Sequence, residues 1–511
     1  MTGSKKGIET VYRFFLKYGI YIAAAAVVLL NLSLIFDNVV WGDEAFTVNI
    51  TQGTGFAGVL QRVYYWDTHP VFYYWYVHAF TLIFGGAIWA YHLASVVPFT
   101  ICVILTVTFI KKRLGSLPAY LILFIMGLSR TGAEYNLEIR MYELCFLLVF
   151  VCAVFSVKLF ESMDPKFFIA LVIFGVLSAY THYYGLVATG ILLFADSLVY
   201  FLVKKGKSWI YGVVSIVVYL LLYSPWMWVL LKQGSMAVNE SWATTPKYIS
   251  DLFKFMLGGE HVAKVLYPVL ILLAILYVLK LFNVAVIEDK KLKFQKPKAG
   301  KTDAVDLVLF ACCITVILTL AFGYFMYFFI NPIAFEARYL HPLMPVLLLM
   351  LCIFLSRFLT VKSGNDCEKK EDELLTSGSG VIKLSVTAVV LTLVFVLGLL
   401  DFKQYRSEVK VQDACTAEVL RIMGEMSEEK GLVSVGVKHL AWTVFEHYFP
   451  KSPVYGSLSD IPETAADVWV FYDPYMTDAN RQALTDRGYE ITEYLDKNFG
   501  KYHCNLYHLT K

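Results

Sequence analysis

Long uninterrupted apolar runs, separated by short polar connections, are the dominant pattern of the chain. A bilayer core demands roughly 17–25 apolar residues per helical crossing. With that length as the ruler, about eleven spans are predicted, at 20–37, 88–110, 118–133, 143–160, 167–181, 185–203, 209–231, 262–286, 305–330, 342–357 and 381–400. The stretch 70–84 is apolar but short and aromatic, and Gly85-Gly86 follows it. From about 401 the pattern changes to that of a water-exposed fold. A polar helical stretch near 413–430 precedes the apolar run Leu432–Val437. A helix is predicted at Leu440–Phe449, a strand at Asp467–Tyr472 and a helix at Asp478–Arg487. Such alternation predicts a small α/β domain. The reading is therefore an α-helical polytopic membrane protein, residues 1–400, carrying a soluble C-terminal domain, 401–511.

Charge orients the spans. The connections Lys111-Lys112-Arg113, Lys204-Lys205-Gly206-Lys207 and the run Lys290 to Lys301 are strongly basic, and Lys362, Lys369 and Lys370 form a mixed-charge connection. Basic short loops stay cytoplasmic. All of these meet that rule only if 70–84 lies at the outer face without crossing. The N-terminus, with Lys5, Lys6, Arg13 and Lys17 before the first span, is then inside, as a permanent span and not a cleaved signal. The first loop, 37–87, and the C-terminal domain are outside. The other outer segments are 134–142, Thr181–Gly185, 232–261 and 331–341.

Composition agrees: 58% of the 511 residues are hydrophobic and 17% charged, against about a quarter charged in soluble chains. The net charge of +3 says little about partners, and nothing points to nucleic acid. Nine cysteines fall mostly within apolar runs, without metal-ligand spacing. Cys415 and Cys504, in the tail, are able to pair on an oxidising side.

The predicted inner loops are plain, whereas the outer ones concentrate chemistry. Asp43-Glu44 follows the first span within Trp41-Gly42-Asp43-Glu44. Two acids at a membrane edge are costly unless solvated or used, and a helix starting at Gly42 sets both at its positive end. Without function they are a solvated interfacial turn. Asp67-Thr68-His69-Pro70 opens the aromatic stretch, with Pro70 at a helix start capped by Thr68 or Asp67; without function it is a capped interfacial helix. Glu138-Ile139-Arg140-Met141-Tyr142, Thr181-His182-Tyr183-Tyr184-Gly185 and Glu336-Ala337-Arg338-Tyr339-Leu340-His341-Pro342 complete the set. Outer arginines oppose the basic-inside bias. They either pair with nearby Glu138 and Glu336 or bind an anion such as phosphate. Together the set suits an acid as general base with arginines holding an anionic leaving group. An enzyme facing away from the cytoplasm lacks a nucleotide pool, so a phosphate-bearing lipid donor fits.

On these five motifs, in this order, residues 1–400 resemble the GT-C class of membrane glycosyltransferases. The group is family 39 and its relatives, which includes protein O-mannosyltransferases and the lipid A aminoarabinose transferase. The first-loop helix after His69-Pro70 also resembles that group's non-crossing helix. The resemblance implies a hexosyl- or pentosyltransferase of the cell envelope with a polyprenyl-phosphate sugar donor and a glycan, lipid or protein acceptor. Asp43 is then the base of an inverting displacement and Glu44 a positioning acid. Arg140, Arg338 and His341 hold the donor phosphate, and Asp67, His69, Glu138, Tyr142, His182, Tyr183 and Tyr339 line the cavity. No cofactor and no obligatory metal are expected, although Asp43, Glu44 and Asp67 suffice to ligate a divalent cation. Two departures stand out: Val71 occupies the place of a second proline, and His92 that of an early arginine in the second span. The C-terminal domain resembles nothing in that group. The alternatives are a transporter or flippase of a lipid-linked or anionic substrate, and a cell-envelope sensor or scaffold. No internal repeat, frequent in transporters, is present.

Overall fold

The computed structural model describes residues 12–36, 40–237, 248–281, 285–288, 291–294, 303–359, 374, 378–429, 432–435, 439–455, 457–472, 476–499 and 502–511. The basic connections at 295–302 and 360–373, and Cys504 as a pairing partner, fall outside what is described; among the described residues Cys415 is a free thiol. Among the described residues nine helices are long and apolar enough to cross a membrane, and two shorter apolar helices accompany them. These eleven match the predicted spans one for one.

After α1, Ile20–Leu32, three short helices make up the first loop: α2, Gly42–Thr51, α3, Phe56–Trp66, and α4, Phe72–Phe84. The backbone amide of Phe72, at the start of α4, bonds Tyr180 O, and Gly86, beyond its end, accepts from Gln52 at the end of α2. Both ends of α4 therefore lie at one end of the bundle. Its 13 residues rise only about 20 Å, short of a roughly 30 Å core. Gly85, at φ +89°, ends the helix in a conformation that a side chain would strain. The start differs from expectation: α4 begins at Phe72 after Val71, with no side-chain cap. The Asp67 carboxylate binds the Thr68 amide and His69 instead of capping the helix.

The bundle continues through α5, Ile88–Leu114, α6, Ser116–Leu128, α7, Arg130–Tyr135, α8, Tyr142–Ser162, α9, Phe167–Ala179, α10, Tyr183–Lys204, and α11, Trp209–Ala237. Then come α12, Ile249–Met256, α13, Glu260–Leu281, α14, Ala304–Phe329, and α15, Met344–Leu359. At one end of the bundle the Lys111 ammonium reaches Lys17 O and Arg113 pairs with Glu161. The acids, histidines and arginines singled out above gather at the other end. The predicted span 262–286 is shortened, because Ala285–Glu288 (β1) pairs with Lys291–Phe294 (β2) in a hairpin.

The boundary at 400/401 lies inside one helix. α16, Gly378–Glu429, joins the last span and the polar helical stretch into 52 continuous residues, about 78 Å long, so more than half projects beyond a bilayer core. Gly and Pro, the usual helix breakers, are missing between Asp401 and Ile422. Arg130–Glu408 at 2.6 Å and His261–Asp401 at 2.6 Å tie the projecting part to α7 and α13. The tail forms a five-stranded sheet in the order β4-β3-β5-β7-β6. β3, Leu432–Val435, runs parallel to β4, Val454–Tyr455, and to β5, Asp467–Tyr472. β6, Glu490–Phe499, and β7, Tyr502–Thr510, are antiparallel. Strand alternation divides the core. Val468 and Val470 pack with Leu484 of α18, Asp478–Asp486, whereas Trp469 and Phe471 face the larger core shared with the bundle. There Phe445 of α17, His439–Tyr448, stacks on Phe471. α17 packs against α2, so the tail seats on the helix that carries Asp43.

Candidate active site

Gly42 opens α2 with Asp43 and Glu44 in its first turn, where free amides and the helix dipole favour anions. The two acids then part. Glu44 Oε2 accepts the Trp41 amide at 3.2 Å and its Oε1 accepts the Ile139 amide at 3.0 Å. Glu44 thus closes the helix start and pins the 136–141 turn against it. Asp43 turns the other way, and its Oδ2 receives Arg338 Nη1 at 2.9 Å. Burial pushes the Asp43 carboxyl up, but the fields of Arg140 and Arg338, then His69, outweigh it and hold the group below its ordinary range.

Arg140 is 4% exposed. Its Nη1 lies 3.1 Å from Tyr74 Oη and 3.4 Å from both Thr47 Oγ1 and Asp43 O, and its Nη2 lies 3.4 Å from His69 Nδ1. Its Nε has no partner among the described residues. His69 Nδ1 also lies 3.1 Å from Asp67 Oδ1. A carboxylate accepts, so Nδ1 carries the proton and has no lone pair to offer Arg140. The guanidinium is therefore buried among neutral acceptors, and no carboxylate among the described residues comes within ion-pairing distance of it. Burial disfavours its charge, and the surrounding Tyr74, Asp43 and Asp67 restore it. Burial and then the attraction of His69 act oppositely on Asp67, the attraction winning, so Asp67 stays ionised below its usual range.

His182 caps α10: its Nδ1 accepts the Tyr184 amide at 3.0 Å. The proton thus sits on Nε2, which is buried and has no partner among the described residues. Burial first, then the nearby positive fields of His69 and Arg140, drive its pKa well down, so the ring is a neutral donor. A Cβ on Gly185 would come within 2.5 Å of Cys145 Sγ, so the glycine lets this turn sit tight on α8. The His182 ring lies 5.6 Å from the rings of His69 and Tyr142 and 5.5 Å from Tyr339.

The structure thus brings together Asp43, Asp67, His69, Arg140, Tyr142, His182, Arg338 and Tyr339 from five separate segments. Tyr183 stands at the margin: its hydroxyl bonds Gln233, which also donates to His69 O at 3.1 Å. Glu138 lines a neighbouring cavity with Glu44 and His92, and its backbone carbonyl accepts from Ser95 at 2.6 Å. His341 is not on the open side. It stacks on Tyr135 at 4.8 Å with its Nε2 3.8 Å from the buried Glu143. Asp43, Glu44 and Asp67 each serve a different partner, and among the described residues no cluster of three potential metal ligands forms. Thr47, Tyr74 and Gln233 were not singled out from the sequence. Only Gln233, a polar residue at the end of an apolar helix, carried a signal there.

No family model matches the sequence, and no curated protein matches it. Among solved structures the fold is similar to ArnT from Cupriavidus metallidurans in the apo state, with a TM-score of 0.59, 12% identity and cover of 96% of this chain and 97% of that one. It is likewise similar to the same protein bound to undecaprenyl phosphate, with a TM-score of 0.56 at 12% identity. The chain thus has a fold similar to that of ArnT along nearly its whole length, tail included.

Proposed function

We propose that this protein is a membrane glycosyltransferase that moves a sugar from a polyprenyl-phosphate donor to an acceptor hydroxyl, on the side of the membrane away from the cytoplasm. The observation that carries the reading is Arg140: a buried guanidinium without a carboxylate partner, beside an Asp43–Arg338 pair. Its buried Nε–H has no acceptor among the described residues, which costs about 1–3 kcal/mol, and a phosphate would satisfy it. His182 Nε2–H and Arg338 add donors on the same side. The similar fold of ArnT, which has been captured with undecaprenyl phosphate, is consistent with a donor of that class.

In this reading Asp43 takes the proton of the acceptor hydroxyl as its oxygen attacks the anomeric carbon. The bond from that carbon to the phosphate oxygen breaks, the phosphate keeps the electron pair, and configuration inverts. Arg140, Arg338 and His182 stabilise the charge that develops on the leaving oxygen. Without donor, Asp43 is a weak base, because the arginines hold it below its ordinary range. A bound phosphate neutralises their field, so the donor itself makes Asp43 more basic. Glu44, spent on two backbone amides, holds the geometry.

The test is a panel of polyprenyl-phosphate sugars offered to the purified protein in lipid, with glycosylated product and released polyprenyl phosphate both measured. Transfer from at least one donor is expected. Movement of intact lipid-linked sugar between leaflets, with no cleavage of any donor, would replace the reading with a transporter.

A further inference from the structure

A second cavity lies behind α2, on the side to which Glu44 points. Its volume is about 50 Å³, room for about three or four water-sized groups. Its walls include Trp41, Glu44, His92, Glu134, Glu138 and, from the projecting part of α16, Tyr405. None of the arginines of the anion site lines it.

His92 tells what the cavity accepts. Its Nδ1 lies 2.8 Å from Leu137 O. A carbonyl only accepts, so Nδ1 bears a proton, and Nε2 is the ring atom left for a ligand in the cavity. That atom is buried in a side chain 6% exposed and has no partner among the described residues. Around it stand three carboxylates. Those of Glu44 already accept one amide each, yet each oxygen keeps a second lone pair. The lining thus combines acceptors, the three carboxylates, with donors, the Trp41 indole, the Tyr405 hydroxyl and the Gln412 amide. Groups that donate and accept several hydrogen bonds at once fit it, and the Trp41 and Tyr405 rings suit the apolar face of a sugar ring.

We infer that this cavity binds a polyhydroxylated group, the hydroxyl-bearing end of the acceptor, separately from the anion site. The inference rests on the glycosyltransferase reading for the word acceptor, but the binding itself does not need it. Glu44 lies between the two sites, with Asp43 next to it on α2, so a group anchored here rests against the same helix turn that carries Asp43, on the face away from the arginines.

Full-length protein in nanodiscs is titrated with methyl glycosides by saturation-transfer NMR and, separately, with undecaprenyl phosphate. His92→Asn keeps a donor for Leu137 O and deletes Nε2; Val409→Trp fills the cavity from α16. Glycoside affinity is expected to fall about tenfold in the first variant, as loss of one hydrogen bond to a buried group implies, and to vanish in the second. Undecaprenyl phosphate affinity and melting temperature should stay unchanged in both. Wild-type protein that binds no glycoside, equal glycoside affinity in all three proteins, or binding of ethanolamine in preference to glycosides would each overturn the inference. Failure to bind undecaprenyl phosphate in wild type would sink the donor reading and leave the glycoside result standing on its own.

Discussion

Arg140→Met offers a sharp test, because it predicts that activity and stability move independently. A structural arginine loses stability when removed. Arg140 holds only one contact of ordinary hydrogen-bond length, Tyr74 Oη at 3.1 Å; its other contacts lie at 3.4 Å, beyond the usual 2.7–3.2 Å. Losing a buried hydrogen bond costs about 1–3 kcal/mol. Against that, the variant spares the desolvation of a guanidinium and methionine fills comparable apolar volume, while Asp43 and Asp67 lose a field that favours their charge. The net change in stability is expected to be small, within about 2 kcal/mol. Activity should fall far more. Removing one charged contact to a developing oxyanion costs on the order of 3 kcal/mol, or 10²–10³ in rate. Thermal melting in detergent and turnover of a polyprenyl-phosphate sugar are measured on the same preparation. Arg140→Lys should recover activity only in part, since an ammonium lacks the planar fork. A Met variant that melts well below wild type while its remaining folded fraction turns over normally would refute the reasoning, because Arg140 would then be structural.

Asp43→Asn should abolish transfer, by about 10²–10⁴-fold, while undecaprenyl phosphate binding persists; near-wild-type turnover would remove Asp43 as base. Glu44→Gln should chiefly lower stability, because Gln accepts through one oxygen and Glu44 serves two amides; a melting temperature equal to wild type would count against that role. The acidic limb of kcat should lie at higher pH than that of kcat/KM for the donor, read from pH profiles. Asp43 is depressed in the free protein and works only when ionised, so activity falls as pH drops through its pKa, and donor binding raises that pKa; coincident limbs would rule out coupling. In a Cys-free background, a cysteine placed at exposed Lys112 should resist an impermeant reagent in intact cells, and one at exposed Asp460 should react; the reverse would put the site on the cytoplasmic face.

The spans were legible because bilayer thickness is a hard constraint that hydrophobic length reports directly. The non-crossing α4 was legible through charge: one extra crossing would have inverted every basic loop after it. What sequence concealed was partnership over distance. Glu336 and Glu138 are the local acids beside Arg338 and Arg140, yet Arg338 reaches Asp43, 295 positions away. Glu44 looked like a second chemical acid, and only the 136–141 turn folding over α2 reveals its two amide partners. His341 read as a polar ligand, but the Tyr135 and Phe146 rings that enclose it come from other helices. The continuity of α16 was hidden because an apolar half and a polar half look like two elements when hydropathy sets the boundary. The C-terminal strands β6 and β7 carry charged and aromatic residues mixed, without a clean alternation to find.

The fused helix α16 also explains why the tail is built into the bundle and is not a passenger. A flexible linker at 400/401 would leave the sheet free to wander. A rigid helix, held by the Arg130–Glu408 ion pair and the His261–Asp401 hydrogen bond, instead fixes the distance from the membrane at which the sheet sits. α17 then lands on α2, the short helix whose first turn holds Asp43. α2 has only ten residues, too short to be stable alone in water, and its start is exposed to any slack in the first loop. It is held by Glu44 from below, by the tail from outside and by Arg338 across the site. Catalytic groups must be held within about 0.5 Å to work, and a loop helix at a membrane edge does not meet that by itself. The tail supplies the missing constraint, while Tyr405 on α16 forms one wall of the hydroxyl-binding cavity. Bundle and tail thus meet around α2, and the likeness to the ArnT fold runs through both.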